Sequence, residues 1–165
     1  MILMTHGIVG AALGSLVPGH PVVALAIGFA SHFVLDAIPH WDYKLRSRSE
    51  NTAQPLSEDI KLGKDFIFDL VKIGFDILGG VVIVAALFSS SGRDTFSVLA
   101  AGLIGGILPD ILQFAYFKLR WRWLRQLQSF HLWIHARKRL FNPRAFGWQA
   151  LLIVLTVLII LLIRV

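Results

Sequence analysis

The chain has 165 residues, a length that suits one domain; 56% of them are apolar, only 16% are charged, and the net charge is +6. With a mean hydropathy of +0.69, it does not read as a water-soluble globule around one core but as a small polytopic membrane protein. Cysteine is absent, which excludes disulfides, thiolate chemistry and Cys-ligated zinc, so any metal has to be held by histidine and carboxylate.

In chain order, five apolar segments approach the roughly 20 residues that cross a hydrocarbon core. The predicted fold is all-α, a membrane bundle of about five transmembrane or re-entrant helices in a single domain. The opening MILMTHGIVG lacks a basic n-region, so no cleavable signal peptide is expected. The first helix is predicted over 2–17, glycine-rich and ended by Pro18-Gly19; the second spans 21–38, with Pro21 at its start and Pro39 behind its end. The linking PGHP makes these two a short helical hairpin. A polar stretch, KLRSRSENTAQPLSED, reads as a loop. Ser57 followed by Glu58 and Asp59 fits a helix start, so the third helix is predicted over 60–88, polar first and purely apolar after Asp76. The fourth covers 95–117. A basic amphipathic segment, 118–144, leads to the last and plainest helix, 146–163.

Alternation places the N-terminus, the 41–65 loop and the 118–145 segment on one side of the membrane. Lys118, Arg120, Arg122, Arg125, Arg137, Lys138, Arg139 and Arg144 fall there, and no acidic residue follows Asp110. The positive-inside rule makes that side cytoplasmic, and all five tryptophans lie at its boundary. Basic residues interleaved with aromatics, as in KLRWRWLRQ, also occur in nucleic-acid binders. Here they are tied to transmembrane neighbours, so the expected partners are membrane lipids with anionic head groups and not nucleic acid.

The same alternation gathers ionisable groups at one depth. His6 opens the first helix. His32, Asp36, His40 and Asp42 close the second in SHFVLDAIPHWD. Asp65, Asp69, Lys72 and Asp76 line one face of the third, Asp110 ends the fourth, and His131 and His135 follow. A charge inside the bilayer costs about 3 kcal/mol even on lenient scales, so such groups have partners. His32, Asp36 and His40 stand four apart and share a helix stripe, and His131 and His135 are i and i+4. Imidazole with carboxylate suits zinc, manganese or iron, and several carboxylates allow one or two ions bridged by an aspartate. Single members have plainer readings: His6 as a hydrogen-bonded helix histidine, Asp69, Lys72 and Asp76 as an ion-pair ladder, His131 and His135 as parts of a basic interfacial helix, His20 as solvated. Together they read as a metal site.

Four stretches, THGIVGAALG, SHFVLDAIPHWD, GGILPD and HLWIH, resemble the short motifs of the membrane-bound, metal-dependent hydrolase family (YdjM-like). The HxxxD spacing with a further histidine is also similar to the metal-binding helices of zinc-dependent phospholipase C. In this chain SHxxLD precedes LPD, and ILPDILQ carries one acid where the family's LPDID has two. The resemblance covers about half of the chain and implies that His6, His32, Asp36, Asp110 and one or both of His131 and His135 are metal ligands; His40 extends the set. It also points to a bacterial or archaeal cytoplasmic (inner) membrane, with the His/Asp site facing the cytoplasm.

The expected function is therefore a membrane-embedded, metal-dependent hydrolase, with zinc as the first choice of metal, cutting a phosphoester in a lipid or lipid-linked substrate by metal-activated water. Asp42 or Asp76 serves as general base, and Arg120, Arg122, Arg137 and Lys138 draw in the anionic head group. The alternatives are a divalent cation or proton transporter, for which the outer halves of the later helices offer no ionisable path, and a non-catalytic anchor or scaffold with a basic face. Haem binding is disfavoured by the acids among the histidines.

Overall fold

Glycine decides how the helices meet. The computed structural model describes residues 1–51, 53–89, 93–136 and 143–163, with backbone alone for 93–94 and 143–146. Among them the chain is all-helical apart from one small hairpin and a 3₁₀ turn at Pro55–Ser57. The helices are α1 (Leu3–Gly14), α2 (Pro21–Asp36), α3 (Lys64–Leu87), α4 (Arg93–Leu119), α5 (Arg122–Ile134) and α6 (Pro143–Ile163). Strand β1 (Arg48–Ser49) pairs antiparallel with β2 (Asp59–Ile60).

α4 packs along both α1 and α2, and the contact is backbone on backbone. A Cβ on Gly102 would run into the carbonyl oxygen of Gly10, and one on Gly106 into that of His6; a Cβ on Gly28 would strike the carbonyl of Gly102. Small residues let the axes approach this closely, as in small-xxx-small interfaces within membranes. The consequence is positional: His6 of α1 and His32 of α2 are delivered beside the turn of α4 that ends in Asp110. Pro109 sits inside α4 and cannot donate to the carbonyl four residues back, which loosens that turn.

The predicted start of the third helix is corrected. Residues 60–63 are not helical, and Ser57, Glu58 and Asp59 do not begin a helix. The Glu58 carboxylate is taken by Arg48, at 2.6 Å from Nη2, and by the Asn51 amide at 3.1 Å. Ser49 Oγ donates to the Asp59 carbonyl at 3.0 Å, so the segment closes as a hairpin instead. α3 starts at Lys64 with Gly63 at the cap position and Asp65 in its first turn. The other predicted bounds differ by a turn or less, and α5 lies within the basic 118–144 segment.

Beside an apolar core the bundle buries polar groups and exposes apolar faces. His6, His32, Asp36, His131 and Gln149 are buried, whereas Phe68, Val71, Phe75 and Val82 of α3 and Leu151, Leu155, Leu158 and Leu162 of α6 are exposed. Two helices, Lys64–Leu87 and Thr95–Leu119, are long and apolar enough to cross a membrane; α1, α2 and residues 147–163 are shorter apolar helices.

Candidate metal centre

Asp36, the last residue of α2, is the hub, and its side chain is 2% exposed. Around Oδ1 stand His6 Nε2 at 3.2 Å and His40 Nε2 at 3.7 Å, with the backbone nitrogen of Met1 at 3.2 Å. Around Oδ2 stand His131 Nε2 at 2.8 Å, His32 Nε2 at 3.2 Å and His135 Nε2 at 3.8 Å. Asp110 joins through His32, with its Oδ1 at 3.8 Å from Nε2. Five imidazoles therefore aim the same ring nitrogen at one carboxylate.

The opposite ring nitrogens explain the aim. His32 Nδ1 donates to the Gly106 carbonyl at 2.8 Å, His40 Nδ1 to that of Ile38 at 2.7 Å, and His135 Nδ1 to that of Ala136 at 3.2 Å. A neutral ring that spends its proton on Nδ1 presents a bare lone pair at Nε2, the tautomer that backbone carbonyls impose on metal-ligating histidines. Burial holds the His40 ring down to about 4, aided by the positive Met1 nitrogen, and burial lowers His135 as well. The Met1 nitrogen, itself a cation, lies 2.7 Å from His40 Nε2 and 3.2 Å from Asp36 Oδ1, and His131 Nε2 is hydrogen-bonded to Asp36 Oδ2 at 2.8 Å. Both ring nitrogens of His6 are buried without any hydrogen bond, although Nε2 lies against Asp36. A tetrahedral ion with bonds of about 2.0–2.1 Å sets its ligands about 3.3 Å apart; His6 Nε2 lies 3.2 Å from Asp36 Oδ1 and His32 Nε2 3.2 Å from Oδ2. Three overlapping groups, His6 with His32 and Asp36, His32 with Asp110 and His131, and Asp36 with His40 and His135, each keep their ligand atoms within 4.8 Å. These buried His and Asp groups can hold a metal ion.

The centre opens on a cavity of about 630 Å³ lined by Asp36, Asp110, His131 and His135, within the usual range of small-molecule sites. Asp42 lines it too. Asp76 instead accepts from the Met4 amide at 3.2 Å and from the Tyr43 hydroxyl. Tyr43 lines the cavity, and burial together with the Asp76, Asp110 and Asp42 carboxylates pushes its hydroxyl well above the usual phenol range.

Of the four basic residues expected to meet substrate, Arg137 and Lys138 lie outside the described residues. Arg122 is exposed on α5. Arg120 is turned to the hairpin, where its guanidinium donates to the carbonyls of Leu56 (2.7 Å) and Glu58 and lies over the Tyr116 ring. Among the described residues it is also the non-glycine one with positive φ, 54°, at the corner between α4 and α5. The cations that line the cavity are Lys44 and Arg48, which charge counting along the helices did not single out. Gln149 was also missed: its Nε2 donates to the Trp41 carbonyl at 2.7 Å, fixing the backbone just before Asp42. A lone amide in an otherwise apolar helix was the available signal.

Compared with protein-family models, curated proteins and solved structures, the chain gives no match.

Proposed function

We propose that the chain is a membrane-embedded, metal-dependent hydrolase of a phosphoester carried by a lipid or lipid-linked substrate, held in a polytopic bundle with its His/Asp centre at the cytoplasmic face. The observation that carries this reading is the ring of imidazole Nε2 atoms around both oxygens of Asp36. Imidazole nitrogens gathered around a buried carboxylate form the ligand set that divalent ions take, and His with Asp favours zinc, with manganese or iron next. His6, His32, Asp36, His40, Asp110, His131 and His135 would hold the metal, one ion or two. A divalent ion bound there supplies Lewis acidity toward phosphoryl oxygen and acidity to water.

The remaining work falls to the chain. Lys44 at the cavity wall meets a phosphate charge. Asp42, which lines the cavity, is the carboxylate that takes the proton from water. The outward apolar faces of α3 and α6 and the basic side support the membrane placement. The resemblance to the YdjM-like hydrolases points the same way.

Metal analysis of purified protein tests the reading. Wild type carries stoichiometric divalent metal, and Asp36→Ala and Asp110→Ala lose it together with hydrolysis of phosphatidic acid. Full metal occupancy in both variants removes the proposed centre.

A further inference from the structure

α3 leans on α1, not on α4. Gly79 and Gly80 of α3 close on Met4 of α1, while α3 meets α4 through the stack of Phe66 on Phe114, ring centroids 5.7 Å apart. Between these two helices the cavity runs past Ile73 and Ile77 of α3 and Ile111 of α4. Ile111 is 48% exposed, so the cleft reaches the outer surface of the bundle at that point. One cavity thus joins two chemistries, the His/Asp centre with Lys44 on one side and an aliphatic wall on the other.

Depth fits the same picture. From Arg93 to Asp110, α4 rises about 25 Å at 1.5 Å per residue, a little less than the hydrocarbon core of about 30 Å. With the start of α4 at one face, Asp110 lies close to the opposite head-group boundary, where lipid phosphates reside. The wall formed by Ile73 and Ile77 continues along α3 from that level toward the bilayer core. A water-soluble phosphoester has no use for such a wall, because uncovered aliphatic surface in a polar site costs about 25 cal/mol per Å².

We propose that the gap between α3 and α4 is a lateral entry for an amphiphile, whose phosphate reaches the His/Asp centre while its hydrocarbon chain lies against Ile73, Ile77 and Ile111. The occupant is a membrane lipid with an exposed phosphate, entering sideways from its leaflet. The hydrolase reading supplies the phosphate's destination, whereas the path of the chain rests on the cleft itself.

The probe is phosphatidic acid carrying a diazirine on an acyl chain, in phosphatidylcholine nanodiscs containing the wild-type protein. After photolysis, peptide mapping is expected to find the label at residues 73, 77 and 111 in excess over the outward Leu155 of α6. Ile77→Trp and Ile111→Trp, checked for unchanged metal content, lower the cleft labelling about tenfold, as expected for displacing two or three methylenes, and leave Leu155 labelled. A diazirine phosphatidylcholine of the same chain length labels the cleft less. Equal labelling by the two head groups, or labelling confined to the outer faces, overturns the entry path. Neither result depends on turnover: cleft labelling in a protein that hydrolyses nothing sinks the hydrolase alone, and metal-dependent hydrolysis without cleft labelling sinks the entry path alone.

Discussion

At the scale of single residues, His6 is the most telling. It is fully buried, stacked on His32 with centroids 3.9 Å apart, and neither ring nitrogen finds a hydrogen bond. An unmet buried polar group costs about 1–3 kcal/mol, a cost that a bound ion cancels. His6→Leu is therefore expected to raise the melting temperature of chelator-treated protein and to lower that of metal-loaded protein. Thermal unfolding in both states checks this, and a shift of the same sign in each refutes it. The convergence of His6, His32, Asp36, His40, Asp110, His131 and His135 was legible, because alternation of apolar segments assigns each motif a depth without any knowledge of side-chain direction. Depth says nothing of direction within the plane. Arg120 was read as a substrate contact and instead points to the hairpin, and Lys44 and Arg48, which line the cavity, were read only as part of the basic side.

At the scale of elements, the glycine seam between α1, α2 and α4 sets the geometry of the centre. Gly102 has backbone of α1 where its side chain would be, whereas Gly74 in α3 has nothing within 4 Å. Gly102→Val is expected to destabilise the fold by about 3 kcal/mol or more through overpacking, with loss of metal. Gly74→Ala is expected to stabilise α3 by about 0.5–1 kcal/mol through helix propensity. Equilibrium unfolding in detergent with parallel metal analysis measures both, and a tolerated Gly102→Val contradicts the seam. The helices were legible from their apolar runs, and a Gly-xxx-Gly spacing stood in the sequence at 10 and 14 and again at 102 and 106, though its packing meaning needs a partner helix to be seen. The hairpin was not legible. Strands of two residues have no period to detect, and Ser57-Glu58-Asp59 has the chemistry of a helix start until Arg48 and Asn51 claim Glu58.

At the scale of the whole molecule, the faces of α3 and α6 turn apolar residues outward while the His/Asp cluster is buried, the arrangement expected of a bilayer protein. The sequence reading puts the basic 41–65 and 118–145 regions on one side by alternation. Because the native chain has no cysteine, single substitutions are unique reporters. Glu50→Cys and Arg125→Cys are expected to react with a membrane-impermeant maleimide only in inside-out vesicles, and His20→Cys and Ser89→Cys only in right-side-out cells. Labelling of both pairs from one side contradicts the topology. Length and composition single out two helices as candidate spans; of the shorter helices, α1 starts and α2 ends at the buried centre.

The left-handed corner at Arg120 ties these scales together. A non-glycine residue there costs about 1–2 kcal/mol, offset by the guanidinium's hold on the hairpin carbonyls. That corner also sets the course of α5, which carries His131 to Asp36. The hairpin carbonyls that hold the Arg120 guanidinium therefore bear, through that corner, on where His131 stands against Asp36, and a change in the hairpin is a change at the centre's edge.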